Sequence, residues 1–463
     1  MAPRQVTGLK QKLRTYHRKF AGLFKRPEQR HWSHKYLEGQ MLEIERKSIE
    51  PMAQALEDGN IQAMQQFISA GAWSDAEVIQ AHQAEVAQTL GRPDGVLILD
   101  GCDFPKQGED SVGVARQYCG PLGKVANCQA SVVLAYASAV GHTLLDRRLY
   151  LHKEWFEEAH RERWHKCGIP EQVTFQTKPE LGREMIEAVT RAGVVPFQWV
   201  AMDEGYGRAP QLLNQIQAGN KYFFAEIDCD TRAWRYRPAV LAPGPAPRTG
   251  RPPTRRHLAP GAAAAQRVDH LARTLPRKQW QRCVIHEGSK GPLVVEIAAV
   301  RVVMVEEGLP GRSEWLVIRR PADPDSETPW KYYRSNAPKQ TPFKTLARLT
   351  AWRWPVETTI EECKGELGLD HYEVRGWVGW HHHTTMTMLS HHFLVKLRVE
   401  LGAEAPALTV SQVRKLLQVV LPKREFDEAG VIAEIERIQK QNYAAYLSHR
   451  KHQLQALKRL KPK

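Results

Sequence analysis

The chain has 463 residues, with 66 Lys plus Arg against 51 Asp plus Glu, a formal net charge of +15 and 42% hydrophobic residues. Such a length and apolar fraction support a large core in two or three domains and exclude a disordered or fibrous chain. No apolar run reaches the roughly 18 residues of a membrane span, and MAPRQVTGLKQKLRTYHRKF lacks the apolar centre of a secretion signal, so a cytoplasmic protein is expected.

The surplus positive charge draws polyanions, nucleic acid first among them. The seven cysteines are scattered without a Cys-x-x-Cys pair, which predicts neither a disulfide framework nor a structural zinc site.

Residues 1 to about 92 read as helical, with apolar residues at three- and four-residue spacing over Trp32–Leu56 and Ile61–Ile68. The first part of this region is a basic arm carrying Arg14, His17, Arg18, Lys19, Lys25, Arg26 and Arg30. Clustered cations of this kind hold phosphates without reading bases. The turn formers Gly91-Arg92-Pro93-Asp94-Gly95 end it.

The pattern then changes period. Val96-Leu97-Ile98-Leu99 is a short apolar run that predicts a buried strand stopping at Asp100. Further strands are expected over Ser111–Tyr118, Gln129–Tyr136 and Thr143–Leu151, a helix over Pro179–Ala192, and a strand from Phe197 to Met202 that stops at Asp203. A helix over Ala209–Gln217 and a strand over Tyr222–Ile227 complete an α/β unit. Gly113, Gly120 and Gly123 predict turns, not a phosphate-binding loop.

Residues 238–262 concentrate Pro, Gly and Arg and predict a loop, with its basic stretch over 248–256. Strands follow at Arg282–Ile285, Leu293–Val305 and Glu314–Arg319, and helix resumes near Thr345. The last sixty or so residues are helical and basic. Within them Leu416, Leu417, Val420 and Leu421 sit at helical spacing, suited to a partner surface or to the protein's own core.

Asp100 and Asp203 therefore close two separate buried strands. Strand ends of an α/β sheet open into the crevice where ligands bind, so the pair is placed to share a divalent ion, although Asp also commonly starts a turn. Arg353, Glu357 and Lys364 fall at offsets of four and seven, which puts all three on one helical face. That spacing suits either a surface ion pair or a carboxylate whose flanking cations take phosphate oxygens. His381-His382-His383 and His391-His392 share an apolar helix with Met386, Met388, Leu389 and Phe393 and read as core or solvated residues. Of the aromatic residues near this region, Trp352, Trp354, Trp377 and Trp380 suit core packing or stacking on an unpaired base.

The stretch from Thr350 resembles the Tyr-(2)-Arg-(3)-Glu-(6)-Lys signature of bacterial insertion-sequence transposases of the DDE class. Arg353, Glu357 and Lys364 take the Arg, Glu and Lys places, and Thr350 stands in the Tyr place. DGCDFPKQG from Asp100, SVGVARQYCGPLG from Ser111, DEGYG from Asp203 and KGELGLDHY from Lys364 resemble one insertion-sequence branch of that class, and the similarity spans most of residues 20–400.

The resemblance implies an RNase H-like core with a β-rich insertion, flanked by helical regions. Its divisions are 1–92 (helical, basic, DNA-binding), 93–227 and 345–400 (the two parts of the core), 228–344 (the insertion) and 401–463 (the basic C-terminal region). It implies Asp100, Asp203 and Glu357 as catalytic metal ligands for Mg²⁺, with Mn²⁺ able to substitute. Asp103 is a second candidate for the first place, and Glu204, Glu361 and Glu362 are weaker alternatives. The DNA phosphates fall to Arg353 and Lys364, with Arg14, Arg18, Lys19 and Arg26 of the arm. The implied reaction is cleavage of element ends and strand transfer into target DNA by a nucleoid-associated homodimer bound to the terminal inverted repeats. The competing expectations are an RNase H-like nuclease without strand transfer and a DNA-binding regulator derived from an inactive transposase.

Overall fold

The computed structural model describes residues 6–243, 255–288, 291–323, 325–425 and 427–460. Among the described residues the first helices are α1 (Leu9–Ala21), α2 (Pro27–Met41), α3 (Ile49–Ala55), α4 (Ile61–Ser69) and α5 (Asp75–Leu90). Asn60 and Ser74 accept hydrogen bonds from the backbone N–H groups of Ala63 and Glu77, satisfying donors that the first turn leaves without helical partners. Along α1, Leu9, Leu13, Tyr16 and Phe20 are buried while Arg14, Arg18 and Lys19 are exposed. His17, read from the sequence as part of the basic arm, is buried and bonded to the Ser33 hydroxyl at 2.7 Å.

Beyond the Gly91–Gly95 turn come β1 (Val96–Pro105), β2 (Val114–Cys119), β3 (Lys124–Ala137) and β4 (His142–Tyr150), then α6 (Arg161–Lys166) and α7 (Lys178–Ala192). β5 (Trp199–Met202), α8 (Glu204–Gly207), α9 (Pro210–Ala218) and β6 (Tyr222–Ile227) complete the unit. α7 starts where the sequence can hold it: Thr177 and Glu180 form a reciprocal capping box, and Gly193 ends the helix in the left-handed region at φ 64°.

In space the strands run β4-β3-β1-β5-β6. β3 is antiparallel to both β4 and β1, whereas β5 and β6 run parallel to β1. This is the RNase H-like order, three antiparallel strands continued by two parallel ones reached through helices.

One expectation is corrected. β1 does not stop at Asp100 but continues to Pro105, because its antiparallel pairing with β3 persists from Val96↔Ala137 to Pro105↔Cys128. What ends there is the parallel neighbour, since pairing with β5 stops at Leu99↔Met202. The opening beside Asp100 is made by the end of β5 and not by the end of β1.

The insertion adds β7 (Arg232–Trp234), β8 (Val240–Leu241), β9 (His257–Leu258), β10 (Gln266–Arg267), α10 (Val268–Arg273), β11 (Gln281–Gly288), β12 (Gly291–Glu306), β13 (Leu309–Pro321) and β14 (Lys331–Ser335). β14, which the sequence reading did not anticipate, pairs with β6 and joins the insertion to the central sheet, giving twelve strands among the described residues. Alternation along these strands serves two cores. Ile297 and Val317 face the main core, while Ala298, Leu316 and Ile318 pack with Val268, Leu271 and Trp280 in a second one. Most of the expected basic loop, residues 244–254, lies outside the described residues.

The chain finishes with α11 (Phe343–Leu349), α12 (Trp354–Leu367), α13 (Trp377–Leu401), α14 (Val410–Gln418) and α15 (Glu428–Leu460). α13 is buried on all sides along most of its length, as a central helix must be. Its neighbours include α2, α4, α5 and β4, so the N-terminal helices share one core with the sheet. The histidines of α13 are core residues. The Nδ1 of His383 accepts from the Tyr36 hydroxyl at 2.8 Å, in the tautomer whose Nε2–H faces the Leu369 carbonyl at 3.2 Å. Leu417 and Leu421 are buried, and Leu416 and Val420 pack against the main core. Those residues are thereby taken by the protein's own interior. No helix among the described residues is long and apolar enough to cross a membrane.

Candidate active site

The register that aligns Leu99 with Met202 brings the next residues, Asp100 on β1 and Asp203 just past the end of the parallel β5, to the same level. Both line a cavity of about 610 Å³ together with Asp103, Lys178, Tyr206 and Lys364. Asp203 also caps α8, accepting from the Tyr206 N–H at 3.3 Å. Asp100 accepts from the N–H of Gly101 at 2.8 Å.

α12 faces these strands. It begins with Arg353 at its N-cap and a proline in its first turn, where a missing N–H costs nothing. The Arg353 guanidinium lies 3.3 Å from Glu357, 3.8 Å from Asp100 and 3.2 Å from Glu226. Three turns on from Arg353, the Lys364 Nζ donates to the Asp103 carbonyl at 2.9 Å. The face that the four- and seven-residue offsets define is thus turned toward β1, with Arg353 set among three carboxylates.

Burial pushes the Asp100 carboxyl up to about 6; Arg353 opposes the rise, and the nearby Asp203 adds to it. Burial raises Asp203 as well, against the same guanidinium. Burial alone would make Arg353 easier to deprotonate, but Asp100, Glu226, Asp203 and Glu357 together hold it firmly charged. The site is a set of acids whose mutual repulsion one internal cation now offsets.

Among the described residues no three Asp, Glu, His or Cys side chains stand close enough to hold a metal ion as they are. The donor chemistry nevertheless suits a hard divalent cation, because the donors are carboxylate oxygens and two of them are partly buried, raised and short of positive charge. Asp100, Asp203 and Glu357 all lie around the guanidinium, at the place where such charge is wanted.

The alternatives part company here. Asp103 accepts from the Gly120 N–H at 3.0 Å and lies 3.8 Å from Lys178, so its carboxylate anchors the turn after β2. Glu362 is bonded to the Nε2 of His391 at 2.8 Å, toward α13, and Glu204 is exposed. Thr350 is buried. Of the four tryptophans, Trp352 and Trp380 are buried and Trp377 packs against the core, while Trp354 is half exposed. In the basic arm, Lys19 is paired with Glu85 at 2.6 Å.

Two participants escaped the sequence reading. Glu226, the acid inside the apolar run Tyr222–Ile227, bonds Lys331 at 2.8 Å as well as Arg353. A buried acid within a strand requires a cationic partner, and that was its one visible signal. Lys178 follows the Thr177 cap of α7, and nothing in the local sequence sets it apart.

A family model described as DDE superfamily endonuclease matches residues 19–292, more than half of the chain and a span that includes Asp100 and Asp203 but not Glu357. A probable transposase for the insertion sequence element IS701 from Microchaete diplosiphon is 25% identical over 359 residues, covering 74% of this chain and 79% of that one. With an RNase H-like sheet that sets two acids side by side and a helix that brings a third beside them, the chain belongs to the DDE superfamily of endonucleases.

Proposed function

We propose that the protein is an insertion-sequence transposase that cleaves double-stranded DNA at the terminal inverted repeats of its element and joins the freed ends to target DNA. The observation that carries this reading is the level placement of Asp100 on β1 and Asp203 at the end of β5, with Arg353 and Glu357 beside them. Asp100, Asp203 and Glu357 would hold Mg²⁺ or Mn²⁺, which when bound supplies Lewis-acid activation of the attacking and leaving oxygens at phosphorus.

The remaining groups position the strand. Lys178 and Lys364 stand on the cavity wall with the acids and supply cations for phosphate oxygens. Arg353, held by Glu226 and lying beside Asp100 and Glu357, adds a further cation next to the acids. Exposed Arg14, Arg18 and Arg26 extend the basic surface, where phosphate contacts set affinity without sequence information. Cutting two ends and joining both to one target calls for two protomers, so the working unit is a homodimer on paired ends.

The test is a strand-transfer assay with duplexes that carry the element's own inverted repeats. Joined products that require Mg²⁺ or Mn²⁺ are expected. Cleavage without joining favours a plain nuclease, and DNA binding without cleavage under any divalent ion favours a regulator. Lys364→Ala is expected to weaken DNA binding in all sequence contexts and to lower the slope of log affinity against log salt by about 1, the share of one phosphate contact. An unchanged slope would place Lys364 away from the strand.

A further inference from the structure

α15 runs 33 residues, and every described side chain along it is exposed apart from a partly covered Arg437. Arg437 ties it to Glu50 at 3.1 Å. The helix nevertheless carries Val431, Ile432, Ile435, Ile438, Tyr443, Tyr446, Leu447 and Leu454, each between 41% and 63% exposed. A lone helix in water gains little from such residues, and a contiguous apolar stripe marks a surface that another element covers.

The stripe has a definite period. Ile432, Tyr443 and Leu454 are spaced eleven apart, and so are Ile435 and Tyr446. Eleven residues make three turns at 3.67 per turn, close enough to the natural helix for the stripe to run nearly straight along the rod. Charge is divided along the same length: Asp427, Glu428, Glu434 and Glu436 lie near the start, while Arg450, Lys451, Lys458 and Arg459 lie near the end.

We infer that α15 pairs antiparallel with α15 of a second copy of this chain, about a two-fold axis near Tyr443. In that register Ile432 faces the partner's Leu454, Tyr443 meets its own copy, and Glu436 faces the partner's Arg450. A parallel pair would set acid against acid and base against base, so the charge division selects the antiparallel one. DNA as the occupant fits less well, because the acidic half repels phosphate and the apolar stripe gains nothing from it. The pairing rests on the reading that two protomers act together, yet it is measured without DNA: a dimer lacking cleavage activity would overturn the proposed function and leave the pairing standing.

The experiment uses the full chain. Tyr443→Cys is expected to form a disulfide-linked dimer under mild oxidation, while Ser448→Cys, on the opposite side of α15, and the unaltered chain do not. By light scattering the unaltered protein should be a dimer and Ile432→Asp/Leu454→Asp a monomer with an unchanged melting temperature of the core. Glu436→Arg or Arg450→Glu alone should weaken the dimer several-fold, and the two combined should restore it, since the swap rebuilds both ion pairs in reverse. A monomeric unaltered chain, equal cross-linking at positions 443 and 448, or failure of the double charge swap to restore the dimer would each overturn the inference.

Discussion

The Asp203→Asn protein is expected to lose cleavage of element-end DNA by roughly a thousandfold or more in Mg²⁺, a barrier increase of about 4 kcal/mol. Asp203 has two jobs that the variants separate. It caps α8 through the Tyr206 N–H, a role that Asn fulfils as well as Asp. It also adds a negative charge to the cluster around Arg353, which Asn removes. Asp203→Ala loses both, and the missing cap adds about 1 kcal/mol of instability without unfolding a chain of this size. If Asn and Ala are equally inactive while the melting temperature stays near that of the parent, the charge is what the reaction needs.

The same assay decides between the two candidates for the first acid. Asp100→Asn should match Asp203→Asn, whereas Asp103→Asn should cost less than about tenfold, in line with a carboxylate that braces the Gly120 turn. Cleavage by Asp203→Asn at a rate near the parent's, or a larger loss at Asp103 than at Asp100, would remove the proposed site.

The second large effect is on stability in acid. Burial lowers His17, His82, His142 and His383 to about 4 and His381 to about 3. These imidazoles are neutral in both states above about pH 6.5, where they leave stability unchanged. Below that the unfolded chain takes up protons that the fold refuses, so stability falls with pH until the folded values are reached. At pH 5 each group removes about 2 kcal/mol, and five together remove roughly 10 kcal/mol, the size of a whole domain's stability. Asp100 and Asp203 act in the opposite sense, since their raised carboxyls take protons in the fold first, but they are two groups against five.

Cooperative unfolding near pH 5 is therefore expected, followed by tryptophan fluorescence and circular dichroism. His383→Gln keeps a donor and acceptor for Tyr36 and Leu369 and should move the midpoint to lower pH. A chain that stays native at pH 4 would mean that these imidazoles are charged inside the fold.

The strands around the site were legible because each is a short apolar run closed by turn formers, and such runs fix their own conformation whatever lies next to them. The same holds for α7, whose capping box is written in Thr177 and Glu180, and for the common face of Arg353, Glu357 and Lys364, which follows from helix geometry alone. What β1 pairs with is not a local property. Its extension through Asp100 to Pro105 depends on β3, some thirty residues away, and the crevice depends on β5 ending first. β14 was hidden because Lys331-Tyr-Tyr-Arg-Ser alternates weakly, and its strand conformation comes from the β6 edge that receives it.

Burial divides the rest. His17 and the α13 histidines carry the residue type of a basic surface or a metal site, yet tertiary packing enclosed them and gave them hydroxyl and carbonyl partners. Leu416 and Leu421 had helical spacing that served a partner or the core equally, and only the docking of α14 decided for the core. On α15 a similar spacing was left exposed. By itself the sequence determined the α/β class, the two strand acids and the helix with its Arg, Glu and Lys, because these follow from periods of two and 3.6 residues. The tertiary structure alone decided that Asp100 comes level with the end of β5 while the Asp103 carboxylate braces the Gly120 turn, and that Glu226 holds Arg353 among the acids. Register and side-chain burial are set by segments far apart in the chain, and no local pattern encodes them.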